Sequence, residues 1–253
     1  MRRAIGPVPA VTADQMREVD RLMIETFRIS LVQMMELAGR TLAALVRVRL
    51  GGLVSGQSVV VAVGTGHNGG GGLVAARHLA NWGGAVTALV ESEEKFHEIP
   101  RRQWDALKLL PIDRRQGMGA VEFFAHARAA VVIDALIGYG LRGTPQGWTA
   151  TMIDRINAQP APVIALDLPS GLDATTGEPA RSCIKAAETM TLALPKTGLL
   201  AARARPHVGD LYLADIGVPP SLYAYLNLDV GPIFASHDLI RLDPHGRMTP
   251  DGG

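Results

Sequence analysis

The chain has 253 residues, 47% of them hydrophobic and 19% charged, which suits one large α/β domain with a sizeable core and excludes a globally disordered chain. A formal net charge of +1 argues against a dedicated nucleic-acid binder, which carries a strongly basic face. A single cysteine, Cys183, excludes an intramolecular disulfide and fits a reducing, cytoplasmic compartment.

The basic Met1-Arg2-Arg3 is followed by Pro7 and Pro9 rather than an apolar stretch, so no signal peptide is expected. Thr12 with Gln15 reads as a capping box opening a helix with Met16, Val19, Leu22 and Met23 at helical spacing. A second helix is expected from Leu31 to Val48, ended by Gly51-Gly52. The pattern then changes to Val59-Val60-Val61-Ala62-Val63, a continuous β-branched run typical of a strand buried on both faces. Further strands are expected at 86–90, 130–135, 163–166, 190–194 and 211–214, and helices at 73–82, 101–110, 121–128 and 149–157. Alternation of strand and helix predicts a mostly parallel, doubly wound sheet with right-handed crossovers. One domain is expected over residues 1–242, including the two N-terminal helices, with a flexible Gly/Pro/Asp-rich tail over 243–253. No run of about eighteen uncharged apolar residues is present, so no membrane span is expected.

In such a sheet ligands bind beyond the C-terminal strand ends, and three loops there have unusual composition. In Gly64-Thr65-Gly66-His67-Asn68-Gly69-Gly70-Gly71-Gly72 the glycines let a ligand approach the main chain, and the following helix N-terminus favours an anion. No Lys-Ser/Thr follows, so it is not a Walker loop, and its extra glycines depart from the dinucleotide fingerprint. Glu91 stands about where that fingerprint places an acidic ribose ligand. The second loop, Asp134 to Gly143, starts with a carboxylate at the end of an apolar strand. Such a group is costly to bury unless it is paired, hydrogen-bonded or bound to a cation; capping of the following turn is the alternative. The third, Asp167-Leu168-Pro169-Ser170-Gly171-Leu172-Asp173, repeats that placement and presents the Ser170 hydroxyl from a tight turn. Asp134 and Asp167 with Asn68 and Ser170 suit a hard cation, alkali or alkaline-earth rather than zinc. His67 stands where it can touch a ligand, Cys183 shows no low-pKa setting, and Lys196 either reaches a ligand phosphate or is solvated.

Six ordered segments, Met35 to Gly39, the three loops, Pro195 to Leu199 and Asp215 to Pro219, together resemble the YjeF N-terminal domain family. The likeness extends from about Val11 to Tyr223. It implies a three-layer α/β/α sandwich, Rossmann-like, often dimeric, with NAD(P)H-hydrate epimerase activity. The substrate is hydrated NADH or NADPH, whose R and S forms at C6 are interconverted so that an S-specific dehydratase recovers the cofactor. It also implies potassium as cofactor, held by Asn68, Asp134 and Ser170. The substrate site would be lined by His67, Asn68, Gly69, Gly70, Gly71, Gly138, Tyr139, Gly140, Leu141, Arg142, Gly143, Thr144 and Asp167, with Asp167 moving the proton. His67 stands where the family pattern has Asn, and Gly71 where it has Asp. The second departure supports an alternative, a catalytically impaired nucleotide-binding or protein-interaction module on the same fold.

Overall fold

Two capping boxes open the first helices. Thr12 caps α1 (Ala13–Glu25) and Ser30 caps α2 (Leu31–Arg49), each accepting from the backbone N–H three residues on while a glutamine side chain reaches back. The computed structural model describes residues 7–124, 126 and 128–249. Then follow β1 (Ser58–Val63), α3 (His67–Asn81), β2 (Ala85–Val90), α4 (Glu98–Leu107), β3 (Asp113–Gln116), α5 (Gly117–Phe123), β4 (Val131–Ala135), α6 (Gly147–Asn157) and β5 (Val163–Leu166). The chain continues through β6 (Glu188–Leu192), α7 (Arg205–Val208), β7 (Asp210–Ala214), α8 (Pro220–Tyr223) and β8 (Leu239–Leu242).

Among the described residues eight strands form one sheet in the order β3-β2-β1-β4-β5-β6-β7-β8. Every neighbouring pair is parallel except β7 with β8. Strand β1 shows why the architecture has three layers. Val59, Val61 and Val63 pack in a cluster with Leu42, Leu73, Leu79 and Trp104 of α2, α3 and α4. Val60 and Ala62 pack on the other face with Val121, Met152 and Ile156 of α5 and α6. Strand residues of period two thus serve two helical layers, and both faces of the strand read as apolar. This is the expected α/β/α, Rossmann-like sandwich. The order reverses at β1, between β2 and β4, so the loops after β1 and β4 diverge there and leave a crevice.

Four local differences have physical causes. The helix expected at 73–82 begins at His67, so Gly69 to Gly72 lie inside α3 rather than in a loop. Each glycine there costs up to about 1 kcal/mol in helix propensity. Close packing explains them: a Cβ on Gly70 would meet the Met35 side chain within 2.6 Å of Sδ, and one on Gly72 would collide with Cβ of Ala135. Strand β3, Asp-Arg-Arg-Gln, is an exposed edge without the apolar signature of the inner strands, and was not expected. Strand β8, the antiparallel edge, was also missed. Finally, part of the expected flexible tail is ordered. Asp243 N–H donates to Arg247 O at 2.8 Å, and Val8 N–H donates to Gly246 O at 2.9 Å. Residues 250–253 of that tail lie outside the described residues, as do 125 and 127 of the helix expected at 121–128 and the basic Met1-Arg2-Arg3. Among the described residues no helix is long and apolar enough to cross a membrane.

Candidate functional site

A cavity of about 600 Å³ opens at the C-terminal ends of β1, β4 and β5, where the strand order reverses. The turn after β1 supplies Gly64, Thr65 and Gly66, the first turn of α3 supplies His67 and Asn68, and the loop after β4 supplies Leu136 to Gly140 and Arg142. Leu166, Asp167 and Lys196 form the floor, while Met16, Arg17 and Asp20 of α1 and Met34 and Met35 of α2 close one side.

Asp167 is the first residue beyond β5 and takes a left-handed backbone, φ 68°. Aspartate adopts that region more readily than most residues, though it still costs of order 1 kcal/mol. The conformation aims the carboxylate between two donors. Lys196 Nζ lies 2.5 Å from Oδ1, and the Tyr139 backbone N–H donates to Oδ2 at 2.9 Å. Lys196 is only 1% exposed, and its ammonium also donates to Leu192 O at 2.9 Å and to Thr191 Oγ1 at 3.3 Å. All three ammonium protons thus have acceptors, the condition under which a buried charge pair is tolerated. Of the two alternatives left open for Lys196, solvation does not hold. Tyr139 ties a third group to the pair, because its hydroxyl donates to Asp20 Oδ2. Burial, more than the nearby Asp167 charge, raises the Asp20 carboxyl above its ordinary range.

Asp134 ends β4 with no exposure at all. Ser170 Oγ donates to its Oδ1 at 2.6 Å, Ser170 N–H to its Oδ2 at 2.8 Å and Leu136 N–H to Oδ1 at 3.2 Å. Burial nonetheless pushes the carboxyl up to about 6, and among the described residues it makes no ion pair. Ser170 Oγ in turn accepts from Ile137 N–H at 2.9 Å, so one hydroxyl joins the second and third loops. Asn68 Nδ2 donates to Leu166 O at 3.2 Å, which points its amide at the floor of the cavity. Cys183 is buried, and burial, with the Asp134 charge, pushes its thiol up to about 12, an unreactive setting.

The expected substrate residues divide. His67, Asn68, Gly71, Gly138, Tyr139, Gly140, Arg142 and Asp167 line the cavity; Gly69, Gly70, Leu141, Gly143 and Thr144 do not. Gly69 and Gly70 are buried beneath it, where a Cβ would strike the Gly64 backbone or the Met35 side chain. Gly69 lets α3 approach the turn after β1, and Gly70 lets it approach α2. Glu91 does line the cavity, with its carboxylate 2.6 Å from Lys95 Nζ.

Comparison with known proteins now adds to this geometry. The model of the YjeF-related protein N-terminus matches residues 31–198. The chain belongs to the YjeF-related N-terminal family. A relative from Dehalogenimonas lykanthroporepellens named NAD(P)H-hydrate epimerase is 41% identical over 232 residues, 89% of this chain and 88% of its own. A relative from Pyrobaculum aerophilum named Bifunctional NAD(P)H-hydrate repair enzyme Nnr is 34% identical over 96% of this chain but only 49% of its own length, so the chain spans about half of that bifunctional protein. The crystal structure of yeast ynu0 shares the fold at 21% identity, with a TM-score of 0.79 over 93% of this chain and 100% of that one.

Set against the YjeF pattern, the two departing positions lie on the cavity wall. His67, at the first turn of α3, faces His97 edge-on with ring centroids 6.1 Å apart. Partial burial, then the His97 charge, hold the His67 imidazole below its ordinary range. At Gly71 a Cβ would come within 2.9 Å of Leu166 Cδ2, so Leu166 occupies the space a side chain at 71 would need.

Sequence reasoning passed over Asp20 and left Lys196 undecided. A signal for Asp20 was present: it falls four residues after Met16 and three before Met23, on the apolar side of α1, where a carboxylate is costly unless it has a partner. Lys196 carried no such signal, because its partner is 29 residues away in sequence.

Proposed function

We propose that this chain is an NAD(P)H-hydrate epimerase that interconverts the R and S forms of hydrated NADH and NADPH. The observation that carries the reading is the buried Asp167–Lys196 pair on the floor of a cavity at the sheet's switch point, in a chain 41% identical to a relative named for that activity. In the proposed reaction the pair gives a proton to the hydroxyl at C6, the C6–O bond breaks, and the ring nitrogen lone pair forms the N1=C6 iminium. Water then adds from the opposite face and releases its proton to solvent in the cavity, from which the pair is reprotonated, so atoms and charge balance and only configuration changes. Lys196 and the Tyr139 N–H hold the two Asp167 oxygens in a fixed orientation, as such a transfer requires. The turn at Gly64 to Gly66 and the N-terminus of α3 accept the diphosphate.

The proposal includes potassium, with Asn68, Asp134 and Ser170 as side-chain ligands. Their chemistry fits: a carboxylate, an amide and a hydroxyl all offer oxygen, Ser170 bonds Asp134 directly, and Asp134 is fully buried with no cationic partner among the described residues. Bound there, the ion supplies positive charge beside the anionic substrate and orders the loops after β4 and β5. A homodimer, a cytoplasmic location and a functional link to an S-specific dehydratase belong to the same reading. The names of the bifunctional relatives support the link, and sedimentation tests the dimer.

The alternative, a catalytically impaired binding module, draws on Gly71, which offers no side chain to the cavity. One assay separates them. Protein, R-NADHX and an S-specific dehydratase with its nucleotide are mixed and NADH recovery is followed; recovery at the spontaneous rate favours the module.

A further inference from the structure

Helix α1 lies ahead of residues 31–198, the stretch that matches the family model, yet Met16, Arg17 and Asp20 line the cavity. Of these, Asp20 touches the centre of the site. It accepts the hydroxyl proton of Tyr139, and among the described residues it makes no ion pair. Burial penalises its carboxylate, and among the described residues the side-chain hydrogen bond offsetting that cost comes from one residue of a site loop.

Tyr139 is held at both ends. Its backbone N–H is on Asp167 Oδ2 at 2.9 Å, its hydroxyl is on Asp20, and Lys196 Nζ stands 5.9 Å from its ring centroid. It sits between Gly138 and Gly140, which give a loop little intrinsic stiffness. A Cβ on Gly138 would come within 3.0 Å of Asp167 Oδ2 and 3.2 Å of Asn68 Oδ1, so this loop lies directly against the reacting groups. Without a tether, the phenol ring would be free to change rotamer beside the Asp167–Lys196 pair.

We propose that Asp20 is a positioning residue for the epimerase reaction: through the Tyr139 hydroxyl it fixes the phenol ring as the wall against which the hydrated nicotinamide ring lies beside Asp167 and Lys196. The inference rests on the epimerase reading and extends the site to the N-terminal helix. A flat, partly apolar face with a polar tip suits a ring that is apolar on its faces and carries a hydroxyl at its edge.

The test uses the full chain, R-NADHX and steady-state kinetics, with unfolding midpoints measured alongside. Tyr139→Phe keeps the ring and removes the tether; Asp20→Leu removes the tether from the other side. Each lowers kcat on the order of 10- to 100-fold, while KM moves less than about threefold, because the reacting geometry is lost rather than the diphosphate grip. The double variant is no worse than either single one, and Asp20→Asn, which keeps an acceptor oxygen, recovers most of what Asp20→Leu loses. A merely structural staple would lower the unfolding midpoint and leave kcat of the folded protein alone. Full kcat in Tyr139→Phe, losses that multiply in the double variant, or Asp20→Asn as impaired as Asp20→Leu each overturns the proposal. Tyr139→Phe carries the test should Asp20→Leu not fold. An inactive wild-type protein refutes the epimerase reading itself, and the proposal falls with it.

Discussion

Replacing Lys196 with methionine keeps most of the side-chain volume and removes the ammonium that lies 2.5 Å from Asp167 Oδ1. What remains is a carboxylate 4% exposed, in a left-handed backbone at φ 68°, with one N–H donor from Tyr139. Breaking a buried pair by removing one partner costs about 3–5 kcal/mol, because the survivor is left charged and unpaired. The pair borders a cavity that water can enter, which places the expected cost in the lower half, about 3–4 kcal/mol. With an unfolding entropy of about 2.1 cal/mol/K per residue, a chain of 253 residues has an unfolding midpoint that falls about 2 °C per kcal/mol, or about 6–8 °C here. The assay is thermal unfolding followed by circular dichroism at pH 7.5. Asp167→Asn in the same background removes the orphaned charge and keeps a residue that tolerates positive φ, so the double variant regains more than half of the loss. Epimerase activity falls to background in both. A Lys196→Met midpoint within about 2 °C of wild type, or a double variant no better than the single one, would refute the view that this ion pair organises the site.

The other expected outcomes concern the cavity wall and the cation site. Gly71→Asp lowers stability by no more than about 1 kcal/mol, since the one atom its Cβ would meet, Leu166 Cδ2 at 2.9 Å, is the far end of a side chain that can turn away; a loss above about 3 kcal/mol by denaturant unfolding contradicts this. The Asp134 carboxyl, raised by burial from 3.8 to about 6, keeps its proton longer in the folded protein than in the unfolded one. Without added cation, stability therefore falls as pH rises from about 4 to about 6 and stays lower above that, by about 3 kcal/mol at about 1.4 kcal/mol per pH unit. Asp134→Asn flattens this profile. Potassium at pH 8 raises the wild-type midpoint but not that of the variant, and equal responses in the two proteins would remove Asp134 from the cation site. Ser170→Ala strips a 2.6 Å bond from Asp134 and the acceptor of the Ile137 N–H, and costs about 2–3 kcal/mol by denaturant unfolding; a change under about 0.5 kcal/mol contradicts that account.

The inner strands were legible because β-branched runs such as Val59 to Val63 have no other stable use than burial on two faces. The edges were not: β3 has four exposed residues, and its pairing with β2 depends on the neighbour rather than on its own composition. The glycine run misled for a related reason. Local propensity reads Gly69 to Gly72 as loop, whereas contact with Met35, Ala135 and Leu166 decides that they are helix. In the site, Asp134 and Asp167 announced themselves as carboxylates at the ends of apolar strands, and Ser170 by the tight turn that presents it. Lys196 and Asp20 owe their places to partners 29 and 119 residues away; the apolar side of α1 marks Asp20 as needing a partner, but no local pattern says which. The sequence also had no way of showing that both Asp167 oxygens are engaged, or that one tyrosine joins the N-terminal helix to the carboxylate through both its hydroxyl and its main chain.

Whether the Asp167–Lys196 pair epimerises hydrated NAD(P)H is decided by separating the two epimers by chromatography. Pure S-NADHX and pure R-NADHX are each incubated with the protein, without a dehydratase, and sampled over time. Both reach the same R-to-S ratio far faster than without protein, and Asp167→Asn accelerates neither. Equilibration at the spontaneous rate with wild-type protein, or undiminished acceleration by Asp167→Asn, would contradict it.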